Sequence, residues 1–178
     1  MRRAMLRTGA LVRIRSELRL WSKSEKNTTS GSLMFNKDFK EFIQSLNDNQ
    51  VRYLVVGGYA VALHGYPRYT RDIDIWIEMA PANAARIVHA LQQFGFGSLD
   101  LKEQDFLDED TIIQLGYPPR RIDLLTTLSG VDFEACFVAR VMVDMDGLPV
   151  NFIDLENLKK NKRAAGRAQD IADVENLE

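Results

Sequence analysis

A pair of glycines between two hydrophobic segments constrains the fold more than any other feature of the sequence. Residues 51–58 read VRYLVVGG and end at Gly57 and Gly58. A run rich in β-branched and aromatic residues that stops at two glycines predicts a strand followed by a sharp turn. Residues 71–78 read RDIDIWIE, and their polar–apolar alternation predicts a second strand with one buried face. We expect one or two helical turns over residues 59–64, between the two strands.

The rest of the chain alternates between helical and extended patterns. The other predicted elements are a helix over 36–49, a helix over 81–94, strands over 111–115 and 121–126, a helix over 131–138, strands over 140–143 and 148–152, and helices over 155–165 and 167–177. Residues 98–110 are acidic and without periodicity, which predicts an irregular loop. This order predicts an α/β (α+β) fold, a mixed β-sheet with helices packed against it.

Composition excludes several classes of protein. Hydrophobic residues make up 46% of the chain and charged residues 27%, with a formal net charge of −2, which is typical of a globular domain and not of a disordered chain or a coiled coil. A single cysteine, Cys136, excludes an internal disulfide and a zinc cluster built on cysteine. No run approaches the roughly 18 apolar residues of a membrane span. We therefore expect a cytoplasmic protein that does not contact a membrane.

The first 33 residues differ in charge from the rest. Residues 1–32 contain eight basic and two acidic side chains, so they carry +6 and the remainder of the chain carries −8. A basic arm can bind nucleic acid or an anionic surface, and an Arg-rich start also resembles an organelle transit peptide. The favoured interpretation is a flexible basic extension over 1–33, or a start codon assigned too far upstream, followed by a folded domain over 34–178.

The Gly-Gly turn and the second strand together predict a phosphate and metal site. Glycines let a ligand approach the backbone closely, and the free N–H groups of a helix start favour an anion such as phosphate. Asp72 and Asp74 are two residues apart on a strand, so both carboxylates are expected on one face. Paired carboxylates are hard oxygen ligands suited to Mg²⁺ or Mn²⁺. Phosphoryl or nucleotidyl transfer needs this combination.

A third carboxylate is expected if two metal ions are bound. Asp123 lies in the predicted strand RRIDLL, flanked by Ile122 and Leu124. A lone acid in an apolar strand is costly unless it has a partner, and a metal ion would be one.

With the Gly-Gly turn, the paired aspartates and the later aspartate-bearing strand, the chain resembles the DNA polymerase β-type nucleotidyltransferase superfamily. Its small bacterial stand-alone members, the minimal nucleotidyltransferases and AbiEii-like proteins, are the most similar subgroup. The shared string is G-G-x-A-x-x-x-x-G-x-x-R-x-T-x-D-I-D, here Gly57, Gly58, Ala60, Gly65, Arg68, Thr70, Asp72 and Asp74. The subgroup's C-terminal pattern K-x-x-x-G-R-x-x-D is represented by Lys162, Gly166, Arg167 and Asp170. Many members of the superfamily have Gly-Ser where this chain has Gly57-Gly58.

The resemblance implies a role for each site residue. Asp72, Asp74 and Asp123 would hold two Mg²⁺ ions, with Mn²⁺ as the alternative, and Asp123 would activate the acceptor hydroxyl. The nucleotide and its phosphates would be bound by Gly57, Gly58, Arg68, Thr70, Lys162 and Arg167.

Each of these residues also has an ordinary structural interpretation. The glycines would form only a tight turn, and Asp72 and Asp74 would be solvated residues opposed by nearby arginines. Asp123 would form a salt bridge with Arg120 or Arg121. The two basic residues of the C-terminal pattern would belong to a solvated helix face.

The resemblance implies a Mg²⁺-dependent transfer of a nucleoside monophosphate from an NTP to an acceptor hydroxyl on protein or RNA. The chain would act in a two-gene module of toxin–antitoxin type with a partner protein. The main alternative is a catalytically degenerate protein of the same fold that binds a nucleotide or a partner as an antitoxin or sensor. A third alternative is a nucleic-acid-binding protein that uses its basic arm.

Overall fold

A mixed β-sheet forms the framework of the molecule. The structure, a computed structural model, describes residues 11–13, 35–117 and 120–177. The strands are β1 (Leu11–Arg13), β2 (Tyr53–Val56), β3 (Ile73–Ile77), β4 (Ile112–Tyr117), β5 (Arg120–Leu125), β6 (Val141–Met145) and β7 (Leu148–Phe152). Their order in the sheet is β1-β4-β5-β3-β2-β7-β6. The β1–β4, β3–β5 and β2–β7 pairs are parallel, whereas β2–β3, β4–β5 and β6–β7 are antiparallel.

Six α-helices lie in the described part of the chain. They are α1 (Lys37–Asp48), α2 (Gly57–Leu63), α3 (Pro81–Leu91), α4 (Phe133–Ala139), α5 (Leu155–Ala165) and α6 (Ala168–Asn176). From α1 onward the order of helices and strands matches the predicted order. The predicted fold class, a mixed sheet with packed helices, is confirmed. None of these helices combines the length and hydrophobicity that a membrane span requires.

Helix α1 shows how local sequence specifies an element. The Asn36 side chain accepts a hydrogen bond from the Phe39 backbone N–H at 2.9 Å, so the helix begins at an N-cap. Apolar residues at helical spacing then face the sheet, and Phe42, Ile43 and Leu46 are fully buried. Each buried side chain of this size contributes roughly 1.5–3 kcal/mol.

Strand β3 presents different chemistry on its two faces. Ile73, Ile75 and Ile77 are fully buried on one face. On the other face, Trp76 packs edge-on against Phe133 of α4, with ring centroids 5.0 Å apart. The same face is therefore covered at the Trp76 end, while the end that carries the aspartates opens into a cleft.

Three segments differ locally from the prediction. Helix α2 begins at Gly57 and not at residue 59, so the glycines belong to its first turn. After α3 the chain continues as a π-helical turn to Phe96, which the positive φ of Gly95 interrupts. The segment predicted as an irregular loop contains 3₁₀ turns over Gly97–Leu99 and Glu103–Phe106. The fully buried Phe106 anchors the second of these turns in the core.

The predicted N-terminal extension lies almost entirely outside the described residues. Within it, only β1 is described, as an edge strand that pairs with β4. The division of the chain into an extension and a domain therefore stays a prediction.

Candidate functional site

All nine site residues predicted from the sequence lie on the wall of one cleft of about 380 Å³. They are Gly57, Gly58, Arg68, Thr70, Asp72, Asp74, Asp123, Lys162 and Arg167. They come from four parts of the chain: the start of α2, the segment leading into β3, strand β5, and the α5–α6 region. The fold therefore brings together residues that are up to 110 positions apart in the sequence.

The two glycines are required by close packing. Gly57 has a φ of +60°, and a Cβ at this position would lie 1.9 Å from the Asp74 Oδ2 atom. A Cβ on Gly58 would lie 2.9 Å from both the Cβ and the Oγ1 of Thr70. The hydroxyl of Thr70 in turn donates a hydrogen bond to the Asp72 carbonyl at 3.1 Å. The Gly-Gly pair thus lets the start of α2 lie directly against the aspartate-bearing segment.

Three carboxylates converge on the floor of the cleft. In the parallel pairing of β3 with β5, Asp74 lies opposite Asp123. Asp72 precedes β3 by one residue and shares a face with Asp74, because alternate residues of an extended segment point the same way. The Asp123 side chain is 10% exposed and the Asp72 side chain 31%.

Arg121, expected from the sequence only as a salt-bridge partner of Asp123, joins two of these carboxylates. Arg121 Nε donates to Asp123 Oδ1 at 2.6 Å, and Nη2 donates to Asp123 Oδ2 at 2.9 Å. The same Nη2 lies 2.9 Å from Asp72 Oδ2. Gln114 on β4 adds a hydrogen bond to Asp123 Oδ2 at 3.2 Å.

The electrostatics of the floor reflect crowded negative charge. Burial is the main factor that raises the pKa of Asp74, to about 6, and the nearby Asp123 carboxylate raises it further. Burial also raises the pKa of Asp72, against the lowering effect of Arg121. The Asp74 carboxylate makes no direct ion pair within the described residues, and Lys162 and Arg167 act on it only at longer range. It is therefore the acid most in need of a cation.

The donor chemistry of the floor fits a divalent metal ion. Carboxylate oxygens from adjacent strands are the ligands that Mg²⁺ and Mn²⁺ prefer. As the side chains stand, no three acidic, histidine or cysteine residues in the described ranges are arranged to hold a metal. Arg121 lies between two of the three candidate carboxylates. The residue types thus fit the metal, and Arg121 would have to yield part of its position.

A buried ion-pair cluster forms another part of the cleft lining. The Lys162 ammonium lies 2.8 Å from Asp170 Oδ1 and 2.9 Å from Asp173 Oδ2, and all three side chains are at most 5% exposed. Arg68 donates to both oxygens of Asp173, at 2.9 and 3.1 Å. Arg167 is bound to Asp170, but its own side chain is 76% exposed. Burial alone would raise the pKa of both aspartates, yet hydrogen bonds from these cations hold it below its usual value.

In this cluster, the basic residues of the C-terminal pattern differ in burial. Lys162 lines the cleft as expected, but it is buried and doubly paired and does not lie on a solvated helix face. Arg167 is the exposed cation of the cluster. Asp173, which is not among the predicted site residues, binds both Arg68 and Lys162. Its spacing of three residues from Asp170 indicates that both carboxylates lie on one side of a helix.

Fold and site together define the class of protein. The chain has the nucleotidyltransferase-type fold, with a strand–Gly-Gly–helix–strand unit that carries paired aspartates. It belongs to the family described as nucleotidyltransferase of unknown function (DUF6036), whose model matches residues 34–178. The AbiEii-like subtype is not distinguished by this match.

One solved structure supports the fold. A protein from Thermotoga maritima, whose description provisionally names it a nucleotidyltransferase, is similar with a TM-score of 0.54 and 16% sequence identity over 77% of this chain and 88% of that chain. An antigenic nucleotidyltransferase-like protein from Paracoccidioides brasiliensis has a TM-score of 0.48 and 17% identity over 78% of this chain and 72% of that chain, and it adds nothing to the assignment. Comparison with curated proteins gives no match.

Proposed function

We propose that this protein transfers a nucleoside monophosphate from an NTP to an acceptor hydroxyl. The observation that carries the proposal is the convergence of three aspartates, the Gly57–Gly58 turn and a set of cations on one cleft in a nucleotidyltransferase fold. Four carboxylates and four cationic side chains line this cleft. An NTP with its metal ions carries almost no net charge, so a cleft with balanced charges suits it.

The roles follow from position. The floor aspartates Asp72, Asp74 and Asp123 would hold Mg²⁺, which when bound would neutralise charge on the triphosphate. The Gly57–Gly58 turn would bind phosphate oxygens through its backbone N–H groups. Arg167, whose side chain is 76% exposed, would bind phosphate oxygens. Lys162 is held by its two aspartates and would act through its charge.

The reaction would be an in-line displacement. The acceptor oxygen would form a bond to the α-phosphorus while the bond from that phosphorus to the bridging oxygen of pyrophosphate breaks. Asp123 would accept the proton of the attacking hydroxyl. Positioning and charge stabilisation would supply most of the rate enhancement.

The first test is nucleotide binding and transfer by the wild type and by Asp74→Asn. With labelled NTP and Mg²⁺, we expect the variant to lose transfer by at least about 100-fold, because the half-buried Asp74 lacks a substitute ligand. Asp132→Asn is the matched control, since Asp132 caps α4 outside the cleft and bonds to the Ala135 N–H. Undiminished transfer by Asp74→Asn would refute the assignment.

One observation favours a second function, the catalytically degenerate binding protein. Arg121 already occupies both oxygens of Asp123. If this pairing is permanent, the cleft would bind a nucleotide or a partner without reacting. Thermal unfolding with each of the four NTPs in the presence of a chelator separates the two: stabilisation that does not need metal, together with no transfer, supports the binding protein. At 100 times the dissociation constant a ligand stabilises by about 2.7 kcal/mol.

We also propose a protein or RNA acceptor, and a partner encoded in the same two-gene module. The support is the resemblance to the small stand-alone nucleotidyltransferases. Incubation with labelled NTP and either bulk RNA or the candidate partner tests each acceptor class, and label in neither fraction would count against both.

A further inference from the structure

Arg121 completes a two-by-two array of charged side chains on the cleft floor. Arg121 and Asp123 are two residues apart on β5, and Asp72 and Asp74 are two residues apart at the start of β3. Because β3 and β5 are parallel with Ile73 opposite Ile122 and Asp74 opposite Asp123, all four side chains project from the same face. Arg121 is therefore the only cation within the array itself, beside three carboxylates.

The contacts of Arg121 resemble those that a metal ion would make. Its planar guanidinium binds Asp123 through two nitrogens and reaches Asp72 with one of them. Such two-pronged pairing with a carboxylate is specific to arginine, and lysine cannot reproduce it. The side chain is only 24% exposed, so the pairing is weakly screened by solvent.

The two pairings differ in strength. Asp123 is nearly buried and receives three hydrogen bonds, two from Arg121 and one from Gln114. Asp72 is three times more exposed, and only one guanidinium nitrogen of Arg121 reaches it, beside a hydrogen bond from the Arg121 backbone. The Asp72 contact is therefore the weaker one and the first to be released when another cation arrives.

We propose that Arg121 is the protein's own counter-ion at this site and that it competes with divalent metal for Asp72 and Asp123. In the metal-free protein it pairs with Asp72 and Asp123 and interacts with the charge of Asp74 at longer range. Metal binding then requires Arg121 to release at least Asp72. The freed guanidinium face would lie beside the metal site, where an anionic triphosphate is its natural new partner, so that metal and nucleotide bind cooperatively. The inference rests on the proposed function for the identity of the site.

The test measures Mn²⁺ binding, by the loss of the free-ion electron paramagnetic resonance signal, without nucleotide. We expect Arg121→Met to bind Mn²⁺ at least about tenfold more tightly than the wild type. Metal-free Arg121→Met should also unfold at a lower temperature, because three carboxylates then repel one another without a counter-ion, and Mn²⁺ should recover more of that loss than it does in the wild type.

Two further variants make the result specific. Arg71→Met is the matched control, since Arg71 is exposed and acts on Asp72 through charge without a direct contact; we expect less than a threefold change. Arg121→Lys keeps the charge but loses the two-pronged pairing, so its affinity for Mn²⁺ should lie between those of wild type and Arg121→Met. If Arg121→Met fails to fold, Arg121→Lys carries the test with the same expected direction.

Unchanged or weaker Mn²⁺ binding by the Arg121 variants would overturn the inference. Arg121 would then have a purely structural role or would favour metal binding. Transfer activity of the wild type tests the proposed function separately. An active wild type with unchanged Mn²⁺ affinity in Arg121→Met leaves the function standing and removes only the competition. Failure of every variant and of the wild type to bind Mn²⁺ at millimolar concentration contradicts both.

Discussion

At the residue scale, Gly57 joins backbone conformation to the chemistry of the cleft. Its positive φ and the closeness of Asp74 are separate demands, and only glycine meets both. Neither demand is visible from the neighbouring residues alone, since a Gly-Gly pair after a strand predicts only a turn. The reason for glycine here is a contact with a carboxylate 17 residues further along the chain.

Replacing Gly57 by alanine should therefore destabilise the protein through strain and collision together. Gly147→Ala is the matched control, because Gly147 also has a positive φ, of +85°, but a Cβ added there would meet no atom within 4 Å. We expect about 1–2 kcal/mol of lost unfolding free energy for Gly147→Ala, from strain alone, and clearly more for Gly57→Ala. Urea unfolding measures both, and equal losses would show that the Asp74 contact is unimportant.

At the element scale, buried ion pairs connect helix α6 to the rest of the site. Its Asp170 and Asp173 are buried and receive Lys162 from α5, Arg167 from the preceding turn and Arg68 from the segment before β3. Buried charges are tolerated when each is paired and hydrogen-bonded. Helix α6 therefore fixes the position of Arg68 on the cleft wall as well as the position of Lys162.

Removing the charge of Asp173 should loosen this attachment. Asp173→Asn leaves Arg68 without its carboxylate and Lys162 with only one, so we expect a loss of about 3–5 kcal/mol in unfolding free energy. Glu175→Gln on the same helix is exposed and should change stability by less than about 0.5 kcal/mol. A loss below about 1 kcal/mol for Asp173→Asn would mean that apolar packing, and not the ion pairs, holds α6.

At the scale of the whole molecule, the crowded cleft floor should make global stability depend on pH. The pKa of Asp74 is raised to about 6 in the folded protein, so the folded state binds a proton more readily than the unfolded state between roughly pH 4 and pH 6. The stability associated with the protonated carboxyl is fully present below that range and is lost as the pH rises through it.

The metal-free wild type should therefore lose stability relative to Asp74→Asn as the pH rises from about 4 to above 6. The difference should grow by at most about 3 kcal/mol, the linkage equivalent of the shift. Unfolding of both proteins in a chelator across this range measures it. Mg²⁺ should stabilise the wild type and so reduce the difference between the two proteins. A difference that does not vary with pH would contradict the raised pKa of Asp74.

Much of the architecture is readable from local sequence. The N-cap Asn36 with helical spacing of Phe39, Phe42 and Ile43 predicts α1, and the alternation around Asp72 and Asp74 predicts a strand with both carboxylates on one face. These features are local, because capping, periodicity and turn chemistry act between residues a few positions apart. The order of elements and the α/β class, with a mixed sheet, follow from them.

Tertiary structure alone decided which charges meet. Nothing local indicates that β3 pairs in parallel with β5, yet that pairing sets Asp74 beside Asp123 and places Arg121 between Asp123 and Asp72. Likewise, a run of basic residues on α5 predicts a solvated face, whereas the packing of α6 buries Lys162 between two aspartates. The partners and burial of a charged side chain depend on which distant elements pack against it, because Coulomb interactions and desolvation act through space and not along the chain.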